Sequence, residues 1–394
     1  MSLRHKPFDN IDAADIRNLI ANEVAETEAL EFKLTVEPTG DALREFLRDF
    51  SSFLNRNGGD MILGIQEDGG IAKEIVGIPT IECDDMILRL ESAIRDGLQP
   101  RSAAHRIRAI AITEDRSCIL LRMLKSWGGP HMVTSGGDGR FYLRNANGKH
   151  RMDVGELKSA FVQSADQLER LRDFRQRRLA SIKFGETPVR IVKDAVQVLH
   201  IFPIEFMQSG KSVPFREHRD YLSGNLIPMG GSGWNPRFCF DGFVTCRGQH
   251  NAEMSGGYTL MFHNGAIEAV SDAGIGPFNG RKIFGSIAYE KYMIESLDSY
   301  KRVFQHLELS GPFAICVAFL NVKGYELGID ASRYHVGEFR PIDKGDLMMP
   351  EILVDGLLED SGRLLRPAFD LVWNSFGAPG SYNYDASGNW KAHS

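Results

Sequence analysis

Apolar positions along the first 180 residues switch repeatedly between helical and strand spacing. Ile16, Leu19, Ile20 and Val24 recur three or four apart behind Asp12, a residue type that caps helix N-termini, so a first helix is predicted there. A short strand is predicted over 29–34. Leu43, Phe46, Leu47, Phe50, Phe53 and Leu54 then follow at helical spacing, with Gly58 placed to end the helix. Met61–Ile65 reads as a buried strand, and Asp68-Gly69-Gly70 as a hairpin turn into Ile71–Ile75. A helix over 81–98, a hairpin of strands over 105–112 and 117–124, a strand over 140–144 and a long helix from Val154 complete this half.

Gly185-Glu186-Thr187-Pro188 breaks the pattern and suggests a domain boundary. Beyond it, strands are predicted over 196–204, 237–245, 258–263, 266–271 and 313–320, with helices over 289–309 and 364–376. From Gly377 the apolar period gives way to Gly, Ser, Asn and Tyr. The expected organisation is a domain over 1–184, a second α+β domain over 188–376 and a flexible tail over 377–394. The fold class expected is α+β, with mixed sheets.

The bulk composition excludes several classes. With 394 residues, 43% hydrophobic and 25% charged, the chain has an ordinary globular balance and no apolar run long enough to cross a membrane. Arg4 and Lys6 are followed by no apolar core, so no signal peptide is expected. Five dispersed cysteines with no Cys-x-x-Cys pairing point to free thiols in a reducing cytoplasm. The net charge of −6 is unevenly spread. Residues 101–185 hold 17 Lys and Arg against 8 Asp and Glu, whereas residues 1–100 hold 10 against 20. A basic block in an acidic chain is the footprint of a nucleic-acid groove, or else a solvated helix face.

The candidate chemistry lies where strand geometry gathers charge. Glu31 and Lys33 stand two apart in one strand and so share a face. Asp68 follows the next strand, and a helix-linked pair of strands would set the two stretches side by side. Carboxylates with a lysine suit a divalent ion and the charge developed in phosphodiester hydrolysis. Glu26, Glu31 and Asp68 are therefore the expected ligands of Mg²⁺ or Mn²⁺, with Lys33 assisting at the phosphate. Glu26 is five residues from Glu31, which would place it on the opposite strand face, so it must come from the preceding turn; Glu28 is an alternative.

Taken together, Glu26 to Lys33, the amphipathic helix, Asn57-Gly58-Gly59, the run from Met61 to Gly70, Pro130-His131 and the strand from Gly139 to Asn145 resemble the Schlafen-type AlbA-like domain over about residues 13–180. In that family the vertebrate members use two glutamates and an aspartate, with a divalent metal, to cleave structured RNA such as tRNA, and Glu26, Glu31 and Asp68 fall on those positions. The resemblance implies a metal-dependent endoribonuclease, acting in stress or phage defence. The alternative it implies is a non-catalytic DNA- or RNA-binding transcriptional regulator. The vertebrate enzymes join two copies of the domain, so a homodimer is a candidate arrangement for the single copy here.

Lys125, Arg140, Tyr142, Arg144, Lys149 and Arg151 are the candidate nucleic-acid contacts, with RNA expected over DNA. Strand alternation would expose Arg140, Tyr142 and Arg144 together as a basic face with an aromatic platform. The run from Gly274 to Lys282 lacks the Gly-Lys-Ser/Thr ending of a phosphate loop, so no ATP site is located and a strand-connecting turn is expected. The second domain is expected to bind a partner, sense a signal or dimerise.

Overall fold

A computed structural model describes residues 3, 6, 8–36, 40–102, 105–126, 128–145, 148–192, 195–203, 212–248, 254–307, 309, 312–329, 339–354 and 360–391. The chain divides into two units, Met1–Glu169 and Arg170–Ser394.

The first unit is built round a mixed sheet whose two faces are covered by different helices. Its elements are α1 (Ala13–Ala21), β1 (Leu30–Lys33), α2 (Gly40–Leu54), β2 (Gly59–Leu63), β3 (Ile65–Asp68), β4 (Ile71–Ile75), β5 (Ile78–Pro79) and α3 (Cys83–Gly97). They continue through β6 (Leu98–Gln99), β7 (His105–Ala111), β8 (Arg116–Met123), β9 (Met132–Val133), β10 (Arg140–Asn145), β11 (Gly148–Arg151) and α4 (Val154–Phe184). β1 runs parallel to β2, with Glu31 opposite Met61 and Lys33 opposite Leu63. β8 pairs antiparallel with β2, β5 and β7. The expected strand–helix–strand juxtaposition is therefore present.

Period-2 alternation divides the β2 side chains between two separate cores, one of which also takes Leu30 and Phe32 of β1. Leu30, Phe32 and Ile62 pack with Ile16 and Leu19 of α1. Met61 and Leu63 pack with Phe46, Phe50 and Phe53 of α2 and with Leu90 and Ile94 of α3. Gly58 ends α2 at φ 72°, its N–H on the Phe53 carbonyl at 2.9 Å. A Cβ there would lie 2.3 Å from Met123 O, so only glycine fits. A second, four-stranded sheet in the order β11-β10-β9-β6 lies against α2. Asn55 of the turn after α2 pins it, donating to His131 O and Tyr142 O at 2.9 Å each.

The division between units falls inside α4, ahead of the turn at Gly185. Arg175 is buried and donates to Val317 O and Met349 O, and Arg178 holds Glu268 through two bonds of 2.8 and 2.9 Å, so this part of α4 packs with the second unit. That unit contains β12 (Arg190–Ile191), β13 (Val196–Pro203), α5 (Arg219–Asn225), β14 (Trp234–Cys239), β15 (Gly242–Arg247), β16 (Met254–Ser255), β17 (Gly257–Phe262), β18 (Ile267–Ser271), β19 (Ile275–Phe278) and β20 (Arg281–Gly285). It closes with α6 (Ala288–His306), β21 (Phe313–Leu320), β22 (Glu326–Gly328), β23 (Leu347–Met348), β24 (Ile352–Val354) and α7 (Ser361–Ser375). Its main sheet runs β14-β15-β17-β18-β13-β21-β23, with β24 also on β21. Residues of α6 and α7 fill one core with its strands, among them Tyr289, Leu297, Tyr300, Phe369 and Val372.

Three expectations are corrected or refined here. The single strand expected over 237–245 is a hairpin, β14 and β15, turned at Phe240-Asp241. The glycine-rich run from Gly274 is the β19–β20 hairpin, as expected of a turn, with Asn279 and Gly280 at φ 50° and 75°. The stretch from Gly377 packs through its described residues to 391. Tyr384 donates to Gly362 O at 2.6 Å, Asn383 to Ser286 O at 2.9 Å, and Trp390 Nε1 to Glu290 Oε2 at 2.8 Å. Glu290 is buried and also accepts from Trp373 and Ser381, which is what holds a glycine-rich segment in place. Residues 392–394 lie outside the described residues.

Candidate functional site

The face of β1 that carries Glu31 and Lys33 is the face turned to α2. Asp49 of α2 meets them there with 1% of its surface exposed. Its Oδ2 lies 2.8 Å from Lys33 Nζ, an ion pair off the ideal hydrogen-bond direction, and its Oδ1 accepts from Lys149 Nζ at 2.6 Å. Arg144 Nη1 stands 3.8 Å from the same Oδ1. Glu31 is held from two sides, by the Arg144 guanidinium at Oε2 and by Lys33 Nζ at 3.2 Å from Oε1. Lys149 also pairs with Glu45. Three cations from β1, β10 and β11 thus interlock with Glu31, Asp49 and Glu45.

Burial on its own would lower the Lys33 pKa, but Asp49 and then Glu31 outweigh it and hold the ammonium above its ordinary value. Lys33 and Lys149 each keep about a fifth of the side chain exposed, at 21% and 20%. Their ammonium groups can therefore meet an incoming anion.

Glu26 comes from the turn before β1, where Thr27 and Leu30 exchange backbone hydrogen bonds of 3.0 and 3.3 Å. Doubling back in this way solves the spacing problem. Glu26 Oε1 accepts from the Phe32 N–H at 2.8 Å, and the Glu26 N–H donates to Gly70 O at 2.7 Å. Burial, the largest influence, raises its pKa; Glu31 and Glu67 add to the rise, while the Phe32 N–H and Arg144 oppose it. Glu28 is exposed, with Arg56 at 3.6 Å.

Asp68 is at the end of β3 with its side chain exposed. The acid of this hairpin whose charge adds to the rise at Glu26 is the neighbouring Glu67. Glu67 also accepts from the Gly70 N–H at 2.6 Å. Among the described residues no three His, Cys, Asp or Glu side chains are gathered to hold a metal ion, and Glu26, Glu31 and Asp68 as arranged do not fit one.

The expected basic face is corrected. Arg140 and Arg151 are exposed and Lys125 is partly buried, but Tyr142 and Arg144 are covered at 5% and 3% exposure. The side of β10 that carries them packs on α2. Tyr142 Oη donates to Asp138 at 3.0 Å beneath Arg48, and the Arg144 guanidinium lies 4.3 Å above the Phe53 ring. Tyr142 is therefore no stacking platform. Much of the basic block is likewise spent on internal pairing. Arg122 holds Asp60, Arg106 meets Asp9, and Arg108 donates to the Phe8 and Ile11 carbonyls.

Asp49 was not anticipated. The signal lay in the helix pattern, since Asp49 stands three after Phe46 and four before Phe53, inside an otherwise apolar stripe. An acid at such a position needs buried cations to hold it.

None of the curated proteins matches this chain. Among solved structures, the DIP2311 protein from Corynebacterium diphtheriae is 14% identical at a TM-score of 0.26, the match covering 37% of this chain and 27% of that one. The N-terminal domain of a RecG-related protein from Nitrosomonas europaea is 15% identical at a TM-score of 0.27, over 36% of this chain and 94% of that one. Likenesses this low carry no structural conclusion. The family comparison is more direct, and its match takes in β1 through β11 with every residue of the charged cluster: residues 26–153 match the Schlafen, AlbA_2 family.

Proposed function

We propose that the N-terminal unit binds nucleic acid, RNA in preference to DNA, through the cluster of Lys33, Arg144 and Lys149. The family itself suggests nucleic-acid binding. The observation that carries the reading is the pair of partly exposed lysines, fixed on the buried Asp49 and set beside Arg144. Ammonium groups so held keep their carboxylate partner and meet a phosphate oxygen on their exposed side with little loss of side-chain entropy. Arg140 and Arg151, both exposed, extend the path along β10 and β11.

A second reading, an endoribonuclease acting on structured RNA such as tRNA, is favoured by one observation. Burial raises the Glu26 pKa, which suits a general acid, and Lys33 is held 3.2 Å from the neighbouring Glu31. In this reading Glu26 supplies a proton, Glu31 holds Lys33 in place, and Lys33 offsets phosphoryl charge. A homodimer would place two such sites along one substrate.

The test uses labelled tRNA and single- and double-stranded DNA, with Mn²⁺ or EDTA, against the wild type and the Lys33→Ala, Lys149→Ala and Glu31→Ala variants. Binding should be tightest to RNA and weaken with salt, and loss of one phosphate contact should reduce the salt slope by roughly 0.7–0.9. Cleavage that vanishes in Glu31→Ala would establish the second reading. Failure to bind any nucleic acid would sink both.

A further inference from the structure

The second unit holds a pair of imidazoles outside the charged cluster. His218 is the cap residue before α5, and His306 stands in the last turn of α6. His218 Nδ1 lies 3.2 Å from His306 Nε2, with the two rings edge to face at 87°. The His306 ring lies flat on Tyr221, its centroid 3.5 Å away at an interplanar angle of 9°. Tyr221 in turn donates to the Arg302 carbonyl at 3.3 Å. The orientation of His306 is thus set by its own stacking partner as well as by His218.

We infer that His218 and His306 form a two-histidine site for a divalent transition-metal ion of the zinc class. At Zn–N distances of about 2.0–2.1 Å, nitrogens 3.2 Å apart subtend about 100° at the ion, close to the tetrahedral value. His306 is exposed and His218 partly so, which leaves water to complete the coordination. Metals bind the neutral imidazole, so the site should take its ion at neutral rather than acid pH. An all-nitrogen pair favours zinc or nickel over magnesium and calcium, which take oxygen ligands. An ion bound there ties the start of α5 to the end of α6.

The test is isothermal titration of the full chain with Zn²⁺, Ni²⁺ and Mg²⁺ at neutral pH, beside His218→Ala and His306→Ala, with circular dichroism to verify that each variant is folded. One Zn²⁺ or Ni²⁺ site is expected, at least tenfold weaker in each variant, with no response to Mg²⁺. Absence of Zn²⁺ and Ni²⁺ binding, binding unchanged in both variants, or loss in only one of them would overturn the assignment.

Discussion

Asp49→Asn removes one charge from the centre of the N-terminal cluster while keeping the shape of the side chain. In the wild type this carboxylate, 1% exposed, serves Lys33 at 2.8 Å and Lys149 at 2.6 Å, with Arg144 at 3.8 Å. At an effective dielectric near 20, a unit-charge pair about 4 Å apart is worth about 4 kcal/mol before desolvation. Breaking a buried pair typically costs 3–5 kcal/mol. Lys33 and Lys149 are each about a fifth exposed, and the asparagine oxygen still accepts one hydrogen bond, so we expect a loss of about 2–4 kcal/mol. Lys33 also gives the sign of the pH dependence. Its folded pKa is raised, so its pairing contributes stability that is complete below the ordinary lysine value and is lost as pH rises through the folded one. Asp49→Asn should shrink that alkaline loss. Urea unfolding of the wild type, Asp49→Asn, Lys33→Met and the double variant measures both the cost and the coupling. A coupling of about 1–3 kcal/mol is expected for groups in direct contact. A cost under about 0.5 kcal/mol, or strict additivity in the double variant, would refute the view that Asp49 anchors the cluster.

Two further outcomes follow from the same contacts. Tyr142→Phe removes the hydrogen bond to Asp138, and should cost roughly 1–2 kcal/mol in urea unfolding while leaving RNA affinity unchanged; a selective loss of affinity would restore the stacking role. In the second unit Glu268 is fully buried, yet Arg178 and His200 overcome the burial that would raise its pKa and bring it down to about 2. A depressed carboxylate contributes stability above its unfolded pKa and loses it as pH falls through the folded value, so about 3 kcal/mol should disappear between roughly pH 5 and pH 2. Acid unfolding of Glu268→Gln should lack that window, and an identical acid profile would count against it.

What the sequence disclosed follows a physical division. Alternation along β1 is a local property, so the shared face of Glu31 and Lys33 could be read without knowing the fold. The same rule applied to β10 correctly paired Tyr142 with Arg144, yet the side they share is decided by α2, which lies across it. Period identifies which residues stand together; it does not identify which side is covered. The fate of a charge is less local still. Glu31 is joined to Arg144 across 113 residues of sequence, and Glu268 to Arg178 across 90. A count of lysines and arginines cannot separate such pairs from cations left facing water, which is why the basic block overstated the available groove. Asp49 shows the complementary case, because an acid set among Phe46, Phe50 and Phe53 already implies distant cations before any partner is known. Charges that break an apolar pattern therefore locate a site more sharply than charges that accumulate in a block.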